Sequence, residues 1–99
     1  MPTEKQYYVY IMTNKTNSVL YIGTTRNLEG RVRQHKSKEI LGFAKKYNVN
    51  KLVYYEEFFM ATDAFAREKQ LKNWHRDWKL NLVRAMNQHF NDLSVEWYV

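Results

Sequence analysis

Two short runs near the start of the chain alternate apolar and aromatic positions. Tyr7–Met12, "YYVYIM", and Val19–Thr24, "VLYIGT", are dense in β-branched and aromatic residues and read as strands. Asn14-Lys15-Thr16-Asn17 between them is turn material, so the two runs form a hairpin. A four-residue turn there pairs Met12 with Val19, Tyr10 with Tyr21 and Tyr8 with Gly23. On that register one face gathers Val9, Ile11, Leu20 and Ile22 as a core surface. The other sets Tyr10 directly against Tyr21, with Gly23 leaving a gap where backbone or substrate can approach.

Beyond the hairpin the period lengthens. Asn27 can cap a helix whose stripe is Leu28, Val32 and His35, and a second short helix is expected from Ser37 through Ile40, Phe43, Ala44 and Tyr47. Val49–Phe59, "VNKLVYYEEFF", returns to strand composition and reads as a third strand packed against the hairpin. From Thr62 or Asp63 onward, Ala64, Phe65, Leu71, Trp74 and Trp78 share one helical face, continued by Leu82, Val83 and Met86 after a break near His75–Asp77. That helical region ends before Asn87.

At 99 residues the chain is expected to be one domain, residues 1–99. No run reaches the ~20 apolar residues of a membrane span, and no apolar signal region follows the first charges. A soluble, cytoplasmic protein is the expectation. With no cysteine, disulfides, thiol nucleophiles and cysteine-bound zinc are excluded, which leaves hard ions such as magnesium or manganese for any metal site. Residues 1–50 hold nine Lys and Arg against three Asp and Glu, whereas residues 51–99 hold seven of each. The net charge of +6 therefore lies in the first half. A concentrated basic region attracts polyanions, nucleic acid foremost, although a solvated basic surface reads the same way from charge alone.

Three sets of residues carry candidate chemistry. Tyr10 and Tyr21 offer two hydroxyls on one hairpin face, an arrangement that packing alone also produces. Arg31 and His35 lie one helical turn apart at the edge of the Leu28/Val32 stripe. Arg26, Arg33, Lys36 and Lys38 are near in sequence and are the candidate nucleic-acid contacts. Glu68 fills an inner slot between Ala64 and Leu71, where a carboxylate needs a partner; an ion pair and a divalent metal both answer that need. A phenol of pKa near 10 is a poor base at neutral pH unless cations lower it, and Arg31 together with a bound metal is expected to act in that direction.

Taken together, "YVY" at Tyr8-Val9-Tyr10, "YIG" at Tyr21-Ile22-Gly23, "NLEGRVRQH" and "AREKQLKNW" closely resemble the GIY-YIG nuclease superfamily, in particular its small single-domain bacterial members. The resemblance covers nearly the whole chain and rests on order and spacing, with Tyr21 eleven residues after Tyr10 and Arg31 eight after Gly23. It implies an α+β fold, sandwich-like, with a three-stranded antiparallel sheet flanked by helices. It also implies cleavage of phosphodiester bonds, most naturally in DNA, with one divalent ion, Mg2+ or Mn2+. By motif position Tyr10 and Tyr21 fall on the two signature tyrosines, Arg31 on the catalytic arginine, His35 on a tyrosine-or-histidine position and Glu68 on the metal-binding glutamate. Asn87 falls on a late asparagine near the phosphate. The first glycine of the namesake signature is Tyr8 here, and Thr24 stands where some relatives have a lysine. Target choice would then rest on the basic first half or on a protein partner. Two other readings are a nucleic-acid-binding module of the same fold that does not cut, and a protein-interaction domain with Trp74, Trp78 and Trp97 exposed as an apolar patch.

Overall fold

The computed structural model describes residues 6–38 and 42–97. Strands β1 (Tyr7–Thr13) and β2 (Leu20–Thr25) form the hairpin, followed by α1 (Leu28–Lys36), a short α2 (Phe43–Lys46), β3 (Lys51–Phe58), α3 (Ala61–Asn73) and α4 (Arg76–Met86). The sheet is antiparallel with order β2-β1-β3, so β1 is central and β2 is an edge. The α+β expectation is borne out. So are the Asn27 cap, whose Oδ1 accepts from Gly30 N at 3.0 Å, and the helix break, which falls at Trp74–His75. Ser37 ends α1 instead of opening a second helix; the rest of that expected helix falls partly on residues 39–41, outside the described residues.

The hairpin register differs from the one expected. Tyr10 pairs with Gly23, Met12 with Tyr21 and Tyr8 with Thr25. The cause is Asn14, whose Oδ1 accepts from both Ser18 N and Val19 N at 3.0 and 3.1 Å. This Asx-type capture leaves Thr13–Leu20 as the last pair and lengthens the connection to residues 14–19. Asn17 adopts a left-handed φ of 60°, which asparagine tolerates. A slip of two residues changes every partner but no side chain's face, since side chains alternate with period two.

Each face of the sheet has its own core. Val9, Ile11, Ile22, Val53 and Tyr54 pack against Ala64 and Leu71 of α3 and Val83 of α4. On the opposite face Tyr10, Met12 and Leu52 pack against Leu28 and Val32 of α1. The apolar stripe expected on α3 and α4 is only partly internal: Phe65 and Trp78 are 58% and 53% exposed. Glu56 on β3 takes a bidentate contact from Arg67 of α3, 2.9 Å to each nitrogen, which ties the helix to the sheet. Among the described residues no helix is long and apolar enough to cross a membrane.

Candidate active site

The α1 face of the sheet carries the hydroxyls. Tyr10 is fully buried, and its Oη lies 3.4 Å from His35 Nε2. The other imidazole nitrogen, Nδ1, lies 3.2 Å from the Val49 carbonyl. A carbonyl only accepts, so Nδ1 carries the proton and Nε2 is left to accept from the Tyr10 hydroxyl. Tyr21 completes the group: its ring centroid is 6.2 Å from that of Tyr10 and 5.1 Å from that of His35. Opposed or diagonal, the two tyrosines share a face, and the ring contact survives the change of register.

Gly23 is required beneath this cluster. It pairs with Tyr10, whose ring leans across it so closely that a Cβ at position 23 would lie 2.5 Å from Tyr10 Oη and 2.7 Å from Cζ. The gap that sequence placed beside the tyrosines is filled by Tyr10 itself.

Arg31, half-buried, stands one turn before His35 on the same side of α1. Burial pushes the Tyr10 phenol well above its ordinary pKa, Tyr21 adds to that, and the charge and hydrogen bond of Arg31 recover only part of it. Arg31 acts on the phenol in the expected direction, but desolvation outweighs the cation, and Tyr10 stays a neutral O–H. Burial likewise holds His35 below its ordinary pKa, so it is a neutral acceptor at neutral pH.

Glu68 approaches from the other layer. It lies on α3, which packs on the aliphatic face, but β2 is an edge strand and the carboxylate reaches that edge. Thr24 Oγ1 donates to its Oε1, and Lys72 Nζ donates to its Oε2 at 2.5 Å. Burial pushes the Glu68 carboxyl up, but the hydrogen bonds from Lys72 and Thr24 more than reverse this and hold it below the usual range. Its charge is felt at Tyr10. The structure thus gathers Tyr10, Tyr21, Arg31 and His35 on one face and sets Glu68 where its charge acts on Tyr10. Thr24, at the edge strand, orients the carboxylate.

Asn87 is not brought there. Its Nδ2 donates to the carbonyls of Val53 and Asn91 at 3.0 and 2.8 Å, and its Oδ1 accepts from Asn91 N at 3.0 Å. The β1–β3 register shifts between Ile11 and Met12, which leaves Val53 without a β1 partner, and Asn87 satisfies that bulged carbonyl. It is a clasp between α4 and β3. Of the expected nucleic-acid contacts, Lys36 is held by Asp92 and by the Asn50 carbonyl at 2.5 and 3.0 Å. Arg26 lies over the Tyr7 ring at 5.4 Å, while Arg33 and Lys38 are exposed. Two cations that sequence did not single out, Lys72 and Lys79, border Tyr21. The four-residue spacing of Glu68 and Lys72 was the available signal for the first.

Among the described residues no group of three or more His, Asp or Glu side chains could hold a metal. Glu68 can supply one carboxylate, kept ionised, to a hard ion whose other ligands are water and phosphate oxygens, the usual manner of Mg2+. The donor set fits, with Lys72 sharing the oxygen an ion would take.

The family model described as the GIY-YIG catalytic domain matches residues 6–81. The chain belongs to the GIY-YIG family. Among curated proteins, this GIY-YIG chain is 36% identical to UPF0213 protein SH2523 of Staphylococcus haemolyticus, over 79% of its own length and 94% of that protein's. UPF0213 protein CPE1444 of Clostridium perfringens is 38% identical over 79% of this chain and 83% of that one. In fold it matches the solution NMR structure of UPF0213 protein BH0048 from Bacillus halodurans, with a TM-score of 0.56, 24% identity, and coverage of 91% of this chain and 96% of the other.

Proposed function

We propose that this GIY-YIG protein is a divalent-metal-dependent endonuclease that hydrolyses phosphodiester bonds in nucleic acid, DNA foremost. The observation that carries the reading is the cluster of Tyr10, Tyr21, Arg31 and His35 on one layer, with an ionised Glu68 on the other whose charge acts on Tyr10. Arg31 meets the non-bridging oxygens of the scissile phosphate and neutralises the charge that builds there. Tyr21, partly open to solvent, orients the attacking water. Tyr10 keeps its proton and, held by His35, acts as a fixed dipole behind Tyr21. Glu68 would hold the metal ion, which would supply charge neutralisation at the phosphate and at the leaving oxygen.

The test is a cleavage assay on single-stranded, duplex and branched DNA and RNA, in Mg2+, Mn2+ or EDTA, with Glu68→Gln in parallel. Cutting by the wild type only with a divalent ion, and none by Glu68→Gln, is expected. Binding without cutting on every substrate would make the chain a binding module instead.

A further inference from the structure

The second half of the chain is charge-balanced in sequence, but the fold sorts its charges. Glu56 is neutralised by Arg67, and Asp92 by Lys36 of the first half. Lys72, Arg76 and Lys79 lie along the open edge of β2, where Lys72 is paired with Glu68 of the candidate site. Two adjoining hollows run there, of about 240 and 250 Å³. The first is lined by Ser18, Val19, Leu20, Arg76 and Lys79, and the second by Leu20, Tyr21, Ile22, Lys72 and Lys79. They share Leu20 and Lys79, so they form one continuous groove, and no acidic side chain lines it. Asp77 follows Arg76 in sequence but is turned about 100° away around α4.

We propose that this groove carries the sugar–phosphate backbone of one nucleic-acid strand to or from the cutting site. The inference rests on the nuclease reading of that site and adds where the substrate lies. Three features point to this occupant. The groove ends at Tyr21, a member of the candidate site, so a strand lying in it passes the catalytic cluster. The charged side chains that line it are Lys72, Arg76 and Lys79, of which, among the described residues, only Lys72 is paired with a carboxylate, that of Glu68, and this matches a polyanion. Its opposite wall is the outer side of an edge strand, paired with β1 only on its inner side, and outward backbone N–H groups donate to phosphate oxygens as readily as side chains do. Arg76 also donates to the Asn17 carbonyl at 2.9 Å, which fixes its guanidinium against the hairpin turn. Lys72 stands at the junction of groove and site.

The experiment measures binding apart from cutting. Every protein carries Arg31→Ala and is assayed in EDTA, with fluorescein-labelled single-stranded DNA, duplex DNA and RNA of one sequence, by anisotropy across about 50–200 mM salt. The groove variant is Lys72→Gln/Arg76→Gln/Lys79→Gln. The control, with the same charge change elsewhere, is Lys45→Gln/Lys46→Gln/Arg84→Gln. Each lost phosphate contact lowers the salt slope by about 0.7–0.9, so the groove variant should lose about two units on the probe that fits, and the control none. The single variant Lys79→Gln should lose just under one, and it serves if the triple variant unfolds early by thermal melt. Equal effects of the groove and control variants would reduce the result to bulk charge and overturn the groove. An unchanged slope in the groove variants would overturn it too. If the groove dependence holds and the wild type cuts nothing in Mg2+ or Mn2+, the groove stands and the nuclease reading falls.

Discussion

Tyr10 and Ile11 are neighbours on β1, both fully buried, yet they face opposite sides of the sheet and meet different chemistry. Ile11 packs among Val9, Ile22, Ala64 and Leu71, side chains that carry no hydrogen bond to satisfy. Tyr10 is packed as tightly among Met12, Leu28 and Val32 but carries a hydroxyl that must be matched, and His35 is set opposite it. Burial thus has different consequences for these two residues. At Ile11 it yields only stability, although Tyr54 on the same face has its phenol pushed up to about 12 by burial. At Tyr10 it also fixes protonation, because it keeps Tyr10 and His35 neutral, while Glu68 from the other layer is held ionised. A site with neutral dipoles inside and charges at the mouth suits an anionic substrate that arrives from solvent.

The comparison is broken most severely at Glu68. Glu68→Gln should reduce cleavage by at least the roughly 10²–10³ that loss of one preorganised electrostatic group costs. Its stability cost should be small. The Glu68 and Lys72 side chains are 21% and 53% exposed, and pairs of that kind contribute only about 0–1 kcal/mol. Thermal melts beside single-turnover rates would separate this from a buried ion pair, whose breakage costs about 3–5 kcal/mol.

On the aliphatic face, Ile11→Ala should lower stability by about 2–5 kcal/mol in denaturant titrations, with kcat per folded molecule retained. Gly23→Ala forces the Tyr10 ring aside. The ring is enclosed, so the change behaves as overpacking, about 1–3 kcal/mol, and cleavage should fall with it.

Tyr10→Phe removes one hydroxyl and leaves His35 Nε2 without its donor. A loss of about 0.5–1.5 kcal/mol is expected in the same titrations, unlike the near-silent change expected of a tyrosine that merely packs. The smallest effect concerns pH. His35 has a folded pKa below the ~6.5 of an unfolded chain, so the unfolded state takes up the proton first and stability declines as pH falls through about 6.5 toward the folded value. The lowered carboxylates Glu56, Glu68 and Asp92 lose their contribution only below about pH 4.5. Melting temperature should therefore drop between about pH 7 and 5.5 in the wild type, and that slope should flatten in His35→Gln.

Much of the aromatic face was legible from sequence, because face membership depends only on parity. Tyr10, Tyr21 and Gly23 stayed together although the register moved by two. The partner of each was not legible. It depended on Asn14 folding its side chain onto Ser18 and Val19, and local turn chemistry does not show in hydrophobic pattern. The clasp formed by Asn87 was not legible for a similar reason: the bulge at Val53 that it satisfies arises between distant strands. The groove cations were hidden by a count, since seven positive and seven negative residues cancel along the chain while the fold sets Lys72, Arg76 and Lys79 along one strand edge.

The most direct test of the account is the single-turnover cleavage rate of Arg31→Ala, measured with saturating enzyme on whichever substrate the wild type cuts best. Arg31 is half-buried at the rim and is not part of either core, so the melting temperature should stay within a few degrees of the wild type. The account expects the rate to fall by roughly 10²–10³. A stable Arg31→Ala protein that cuts at the wild-type rate would contradict it.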